Sequence, residues 1–372
     1  MAIYVIMIIS SLVFAFVADI ENRNGINYIS KKMMINFLLL LSVLPPFFVG
    51  AFRYRIGVDY EVYTNLQIPL ILNNWDSHFK VVEPGFQMLI KVGDSLSRIL
   101  QLRFINQYQM IFILVQFMLI FFLFLIVKNN KRNFCATLFI YYFSMFFFSS
   151  LSLMRQSLGC LIFLYSINFI NEKKQRFFLL NLIGVSIHSI SFIYFLAYFL
   201  KDIKKIYKYT ILIPILISPL AGFIRILIEK VTIYLDLDYS QYFGSVMDTG
   251  SSGISLIFLH YMLLLIIYVG AKTTKIDSIE VTKKMNFFYY CQLIVASVAT
   301  VSSALPNSFR LVSLFAYVPI LSLPFMVSIQ KNRRSRYFIL ISVVLVYSIF
   351  FIYNVVILKS SEFFPYRSVL GK

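Results

Sequence analysis

Long apolar runs separated by short basic stretches dominate the chain. Ten of them, at residues 2–18, 33–50, 108–127, 133–150, 153–170, 210–228, 254–270, 285–303, 311–329 and 337–358, come close to the length that spans a bilayer. That length is roughly 18–20 residues for an α-helix. An eleventh run, 177–200, reads FFLLNLIGVSIHSISFIYFLAYFL and carries His188 at its middle. Only helices and closed barrels satisfy their own backbone in lipid. The pattern therefore predicts an all-α polytopic membrane protein of about ten transmembrane helices.

Composition agrees with this reading. Of 372 residues, 60% are hydrophobic and 13% charged, and the mean hydropathy is +0.81. A soluble domain carries roughly a quarter charged residues. The first run, AIYVIMIISSLVFAFVA, has no basic leader and no small-residue cleavage site, so it reads as a retained span. The net charge of +18 would suit nucleic acid, but the lysines and arginines gather in six clusters between apolar runs, at 23–32, 128–132, 173–176, 201–208, 272–284 and 331–336. That is the pattern that orients spans with their basic loops in the cytoplasm, and it implies no nucleic-acid partner. Cys135, Cys160 and Cys291 lie in apolar runs without CxxC spacing, so neither a disulfide nor a metal framework is expected.

The same clusters decide how 177–200 is read. With the N-terminus outside, the first three face the cytoplasm. A single crossing by 177–200 would turn the last three outward, whereas a dip and return keeps all six inside. The charge pattern thus predicts a re-entrant helical pair over 177–200, turning near Ser186–Ser191, with both termini extracytoplasmic. One transmembrane bundle over 1–372 results, with external segments 51–107 and 229–253. His188 then sits at the re-entrant tip, facing outward.

Six residues in or beside the outer half escape this explanation: Arg53, Arg55, Asp59, Arg155, His188 and Arg310. A charge inside a span costs about 2.5 kcal/mol or more at its centre and tends to be paired or functional. Each arginine could reach the lipid headgroups alone. A convergent set would instead suit a diphosphate-bearing lipid, because guanidinium matches phosphate oxygens bidentately. Asp59 and His188 are then candidates for acid/base work. Arg225 stands alone on run 210–228 and carries less weight. Glycine-rich phosphate loops, GxSxG elbows and HExxH pairs are missing from the sequence. His78 and His260 have no ligand spacing to His188, so no metal site is predicted; Asp59 and Glu83 are the carboxylates a divalent ion would use.

In chain order, FRYRIGVDYEVY, EPGFQMLIKV, MRQSLG, SIHSISFIYF, NSFRLVSLFAYVP and EFFPYRSVL resemble the EpsG family. These are bacterial membrane proteins of exopolysaccharide and capsule synthesis, regarded as Wzy-type polymerases. The most specific part is Arg-x-x-x-Gly-x-Asp-Tyr-x-x-Tyr with the downstream Glu-Pro-Gly-Phe. The first motif often has one arginine before its glycine, and here Arg53 and Arg55 both qualify. The resemblance implies a glycosyltransferase in the bacterial cytoplasmic (inner) membrane, with its active site facing outward. It would move a growing glycan from undecaprenyl diphosphate to the terminal sugar hydroxyl of a lipid-linked repeat unit, with no cofactor and independently of metal. Implied partners are the undecaprenyl-diphosphate-linked oligosaccharide, membrane lipids and a chain-length regulator. On this reading Arg155, Arg310 and either Arg53 or Arg55 hold the diphosphate. His188, Asp59 or Glu83 acts as base, and Tyr60 and Tyr63 bind sugar or pack. A flippase should show two pseudo-repeated halves and charges along a path to both faces, and the sequence offers neither. An O-antigen ligase would share the arginine logic and differ in its acceptor.

Overall fold

The computed structural model describes residues 1–23, 29–73, 82–101, 106–130, 133–234, 238–245, 248, 254–274, 278–306, 308–358 and 363–370. His78, Lys131, Arg132 and Lys275 lie outside the described residues, as does part of each expected external segment. The chain divides into two compact units, Met1–Phe195 with Phe351–Lys372, and Leu196–Phe350.

Among the described residues the longer helices of the first unit are α1 (Ala2–Arg23), α2 (Ile29–Ala51), α3 (Pro84–Leu100), α4 (Gln109–Asn129), α5 (Phe134–Phe143), α6 (Phe146–Ser152), α7 (Met154–Ser166) and α8 (Lys174–Ile187). α2 packs on α1 and α4, α7 on α4 and α8, and α3 on α4 and α8. α7 is short, and all but two of its residues are buried. Burial on nearly every side marks an interior helix, and α7 is one in this unit. Asp19 of α1 accepts the backbone N–H groups of Phe134 and Cys135 at 2.9 and 3.0 Å. It satisfies donors that the first turn of α5 would otherwise leave without partners.

The second unit contains α9 (Lys208–Tyr234), α10 (Ile254–Thr273), α11 (Ile279–Val301), α12 (Pro319–Ile329) and most of α13 (Arg333–Ile352). α10 packs on α11 and α12, and α9 on α11. The chain leaves the first unit inside the apolar run 177–200 and returns to it within α13. No polar linker marks either passage, which is why the sequence reads as one bundle.

Among the described residues six helices are long and apolar enough to span a membrane: α1, α2, α4, α9, α10 and the stretch Arg333–Ile357. A seventh results if α5 and α6, bent by 52°, count as one. Ten were expected. The break in run 133–150 falls at Met145, whose φ of 65° cannot continue a right-handed helix. Run 153–170 shortens to α7. Run 311–329 splits into Ser308–Ser313 and α12. α11 is long enough, but Lys284, Asn286 and Gln292 reduce its apolarity. In run 177–200, α8 ends at Ile187, His188 is extended (φ −153°, ψ 115°), and a 3-10 helix follows over Ser189–Leu196. This break lies within the Ser186–Ser191 window expected for a turn.

Candidate functional site

The segment Glu83-Pro84-Gly85-Phe86 starts α3, and each residue has a physical role. Proline restricts the residue before it to extended geometry, and Glu83 has φ −61° and ψ 145°. Pro84 occupies the first helical turn, where its missing N–H costs nothing. A Cβ on Gly85 would lie 2.7 Å from the carbonyl oxygen of Ser186, so glycine lets α3 approach the end of α8. Phe86 is fully buried, and its ring lies 5.6 Å from the guanidinium carbon of Arg155.

A second close approach aligns the other two participants. Gly159 of α7 and Gly184 of α8 meet at Ser191; a Cβ on either would come within 3.8 Å of the other's carbonyl oxygen. Small residues at such a crossing let helix backbones approach closely. Arg155 lies four residues before Gly159 and His188 four after Gly184, one helical turn from the contact in each case.

Glu83 joins these elements. Arg155 Nη1 donates to Glu83 Oε2 at 2.5 Å, and His188 Nδ1 meets Oε1 at 3.0 Å. The backbone N–H and the hydroxyl of Ser189 donate to Oε1 at 2.9 and 3.0 Å. The side chains of Glu83, Arg155 and His188 are 13%, 18% and 18% exposed, mostly desolvated yet still reachable. Burial alone would raise the Glu83 carboxyl; the hydrogen bond from His188, the charge of Arg155 and the Ser189 N–H outweigh it and hold the group at about 2. Glu83 is therefore ionised at neutral pH and a weaker base than an ordinary carboxylate. It is suited to orienting a histidine, as the third member of a nucleophile–base–orienter chain does.

The first motif lies against the segment 151–154. A Cβ on Gly57 (φ +96°) would lie 2.6 Å from the Leu151 carbonyl oxygen, and Val58 N–H donates to Ser152 Oγ at 3.1 Å. Arg53 is fully buried: Nη1 donates to Gly50 O at 2.7 Å, Nη2 lies 2.8 Å from Met154 Sδ, and Nε has no partner among the described residues. Burial lowers its pKa, opposed by the surrounding tyrosines Tyr60, Tyr63, Tyr4 and Tyr366. Arg55, with φ 51°, is exposed and pairs with Glu61 at 3.0 Å. The two candidate arginines thus differ in kind: Arg53 is sealed inside, and Arg55 faces outward.

Asp59 is half-buried at the residue preceding the short helix Tyr60–Val62. Tyr60 is buried, stacks on Phe112 at 4.9 Å and accepts a hydrogen bond from Asn106 at 2.7 Å. Tyr63 is buried against Phe86 at 6.0 Å. Both tyrosines have packing roles here. Arg310 is half-buried in the short helix Ser308–Ser313 of the second unit. Arg225, the lone charge on run 210–228, binds Asp248 bidentately at 2.8 and 2.7 Å and donates to Ala304 O at 3.0 Å. Among the described residues no three His, Cys, Asp or Glu side chains gather where they could hold a metal ion.

Sequence reasoning singled out Arg155, His188 and Glu83 without linking them. Phe86 lies inside the Glu-Pro-Gly-Phe motif and Ser189 beside His188, and the sequence alone assigns neither a role toward Glu83 or Arg155. The family model described as the EpsG family matches residues 36–368, nearly the whole chain. No curated protein and no solved structure matches it.

Proposed function

Because the chain belongs to the EpsG family, a family of Wzy-type polymerases, we propose that it is a polysaccharide polymerase whose catalytic base is His188, oriented by Glu83. The reading that fits best is transfer of a growing glycan from undecaprenyl diphosphate to the terminal hydroxyl of a lipid-linked repeat unit. The reaction takes place at the outer face of the cytoplasmic membrane, with 177–200 re-entrant and His188 near its tip.

One observation carries this reading: the ionised Glu83 faces His188 Nδ1 while Arg155 and Ser189 hold the carboxylate. With Nδ1–H donated to Glu83, Nε2 carries the lone pair that accepts a proton. In the proposed step Nε2 takes the proton of the acceptor hydroxyl as its oxygen bonds to the donor's anomeric carbon. The bond from that carbon to the diphosphate oxygen breaks, and its electron pair leaves with undecaprenyl diphosphate. Arg155 gives Nη1 to Glu83, and its remaining N–H groups can face the developing phosphate charge, the kind of preorganised stabilisation that accelerates such departures. Asp59 is the alternative base. Arg310 is proposed as a phosphate ligand on sequence grounds alone, and a chain-length regulator as a partner on family grounds alone.

The test uses the purified chain in nanodiscs with a synthetic repeat unit on a short polyprenyl diphosphate. Mass spectrometry should show dimers and longer products with release of the prenyl diphosphate. His188→Ala should lose them while still binding the donor. Undiminished products from that variant would sink the assignment of the base.

A further inference from the structure

The last stretch of the chain is clamped onto the first motif. Tyr54 N–H donates to Arg367 O at 2.9 Å and Val369 N–H to Phe52 O at 3.0 Å, forming an antiparallel bridge between Arg53 and Ser368. Tyr366 OH donates to Val49 O and Tyr4 OH to Phe363 O, each at 3.0 Å. Tyr4 also meets the rings of Phe364 and Tyr366 edge-on at 5.4 and 5.6 Å. These anchors hold Arg367 in place through its own backbone. They also close a pocket of about 230 Å³ lined by Arg55, Gly57 and Val58 from the motif and by Phe364, Pro365 and Arg367 from the tail.

The pocket has the chemistry of an anion site. Two arginines line it, from chain segments some three hundred residues apart. Arg367 has no carboxylate partner among the described residues, and Arg55 has only Glu61 in an exposed pair, which contributes little and yields readily to a multiply charged ligand. Arg55 holds a left-handed φ of 51°, which is costly for a side chain with a Cβ. The volume is below the roughly 300–1,000 Å³ of sites that enclose whole drug-sized ligands, so a headgroup fits better than a complete substrate. The segment behind it, 151–155, also supplies Arg155 to Glu83.

We propose that Arg367 of the tail and Arg55 of the first motif together form a diphosphate-binding subsite, closed only when the tail is docked. This rests on the polymerase reading for its natural ligand, a polyprenyl diphosphate, while the shared chemistry is a diphosphate from either lipid or solution.

Isothermal titration of the full chain in detergent, with farnesyl diphosphate and inorganic pyrophosphate as probes, tests it. Arg367→Ala and Arg55→Ala should each weaken diphosphate binding about tenfold or more. Arg367→Lys should fall between, since an ammonium lacks the bidentate fork. A preference for farnesyl diphosphate identifies a lipid headgroup, and equal affinity identifies the diphosphate alone; either supports the pocket. Binding within twofold of wild type in Arg367→Ala overturns it. Should that variant melt early, Arg367→Lys at unchanged melting temperature decides the matter in the same two directions. Wild-type binding by Arg367→Ala alongside polymer loss in Glu83→Gln would remove this subsite alone. Weakened binding in Arg367→Ala, with no polymer formed by the wild-type chain from the lipid-linked repeat unit, would remove the polymerase reading alone.

Discussion

Each unit contains an arginine–carboxylate pair whose carboxylate is mostly shielded from solvent and takes further donors, and Arg155–Glu83 and Arg225–Asp248 serve different ends. In the first unit Arg155 meets one oxygen of Glu83, while the other takes His188 Nδ1 and both donors of Ser189. In the second unit Arg225 meets both oxygens of Asp248, which also accepts the backbone N–H of Gly244. The Arg225 side chain is 32% exposed, against 18% for Arg155. One carboxylate is shared with a histidine; the other ties a loop to a helix. An arginine in an apolar segment is therefore no sign of catalysis by itself. What its carboxylate does with the second oxygen decides.

The sharpest way to break the contrast is to neutralise both carboxylates. Glu83→Gln should cut polymerisation about a thousandfold, as loss of an orienting carboxylate does, whereas Asp248→Asn should leave it within a few-fold. Polymer length and amount at matched membrane abundance are the readout, and equal effects would erase the distinction. Combining His188→Ala with Glu83→Gln should cost hardly more than either alone, since residues acting as a unit are not additive; a multiplicative loss would show them acting separately.

A smaller effect should follow from moving Glu83 instead of removing it. Gly85→Ala pushes a Cβ into the Ser186 carbonyl, which cannot rotate away. Turnover should fall roughly tenfold to a hundredfold, because sub-ångström placement governs such steps. Gly159→Ala meets only the movable hydroxyl of Ser191 at short range and should stay near wild type.

Acid stability gives the mildest discrimination. The Glu83 carboxyl sits at about 2 in the folded chain against an ordinary 4.5. A lowered carboxylate stabilises fully above its unfolded value and loses that contribution as pH falls toward the folded one. Roughly 3 kcal/mol should thus disappear between about pH 4.5 and 2, and Glu83→Gln should flatten that part of the curve. Asp248 is also held below its usual range, by Arg225 and then by the Gly244 N–H. Paired with an arginine that is 32% exposed, and so more screened by solvent, it should flatten less when changed to Asn. Thermal melts in detergent across this range measure both.

Apolar length made α1, α2, α4 and α10 legible in the sequence, since lipid demands it of a spanning helix. It failed where the helix is shielded by protein: α7 needs no full span, and α11 keeps Asn286 and Gln292 buried inside the second unit. The bend at Met145 depends on backbone geometry that hydropathy does not record. At the site, Arg155 and His188 stood out because a charge or imidazole in an apolar run is costly. Their link through Glu83 was not legible, because it depends on the close approach of α3 to the end of α8 at Gly85, which exists only after packing. Arg367 was hidden for the same reason, brought to Arg55 by a tail whose docking the sequence does not encode locally.

The central claim is that Glu83 and His188 join sugars outside the membrane. It is tested most directly in a deletion strain carrying wild-type, Glu83→Gln or His188→Ala protein at matched membrane abundance. Lipid-linked glycans and surface polysaccharide are then resolved by gel. The account predicts that both variants lose long polymer while single repeat units still reach the outer face. Long polymer at wild-type level, or single units held only inside, would contradict it.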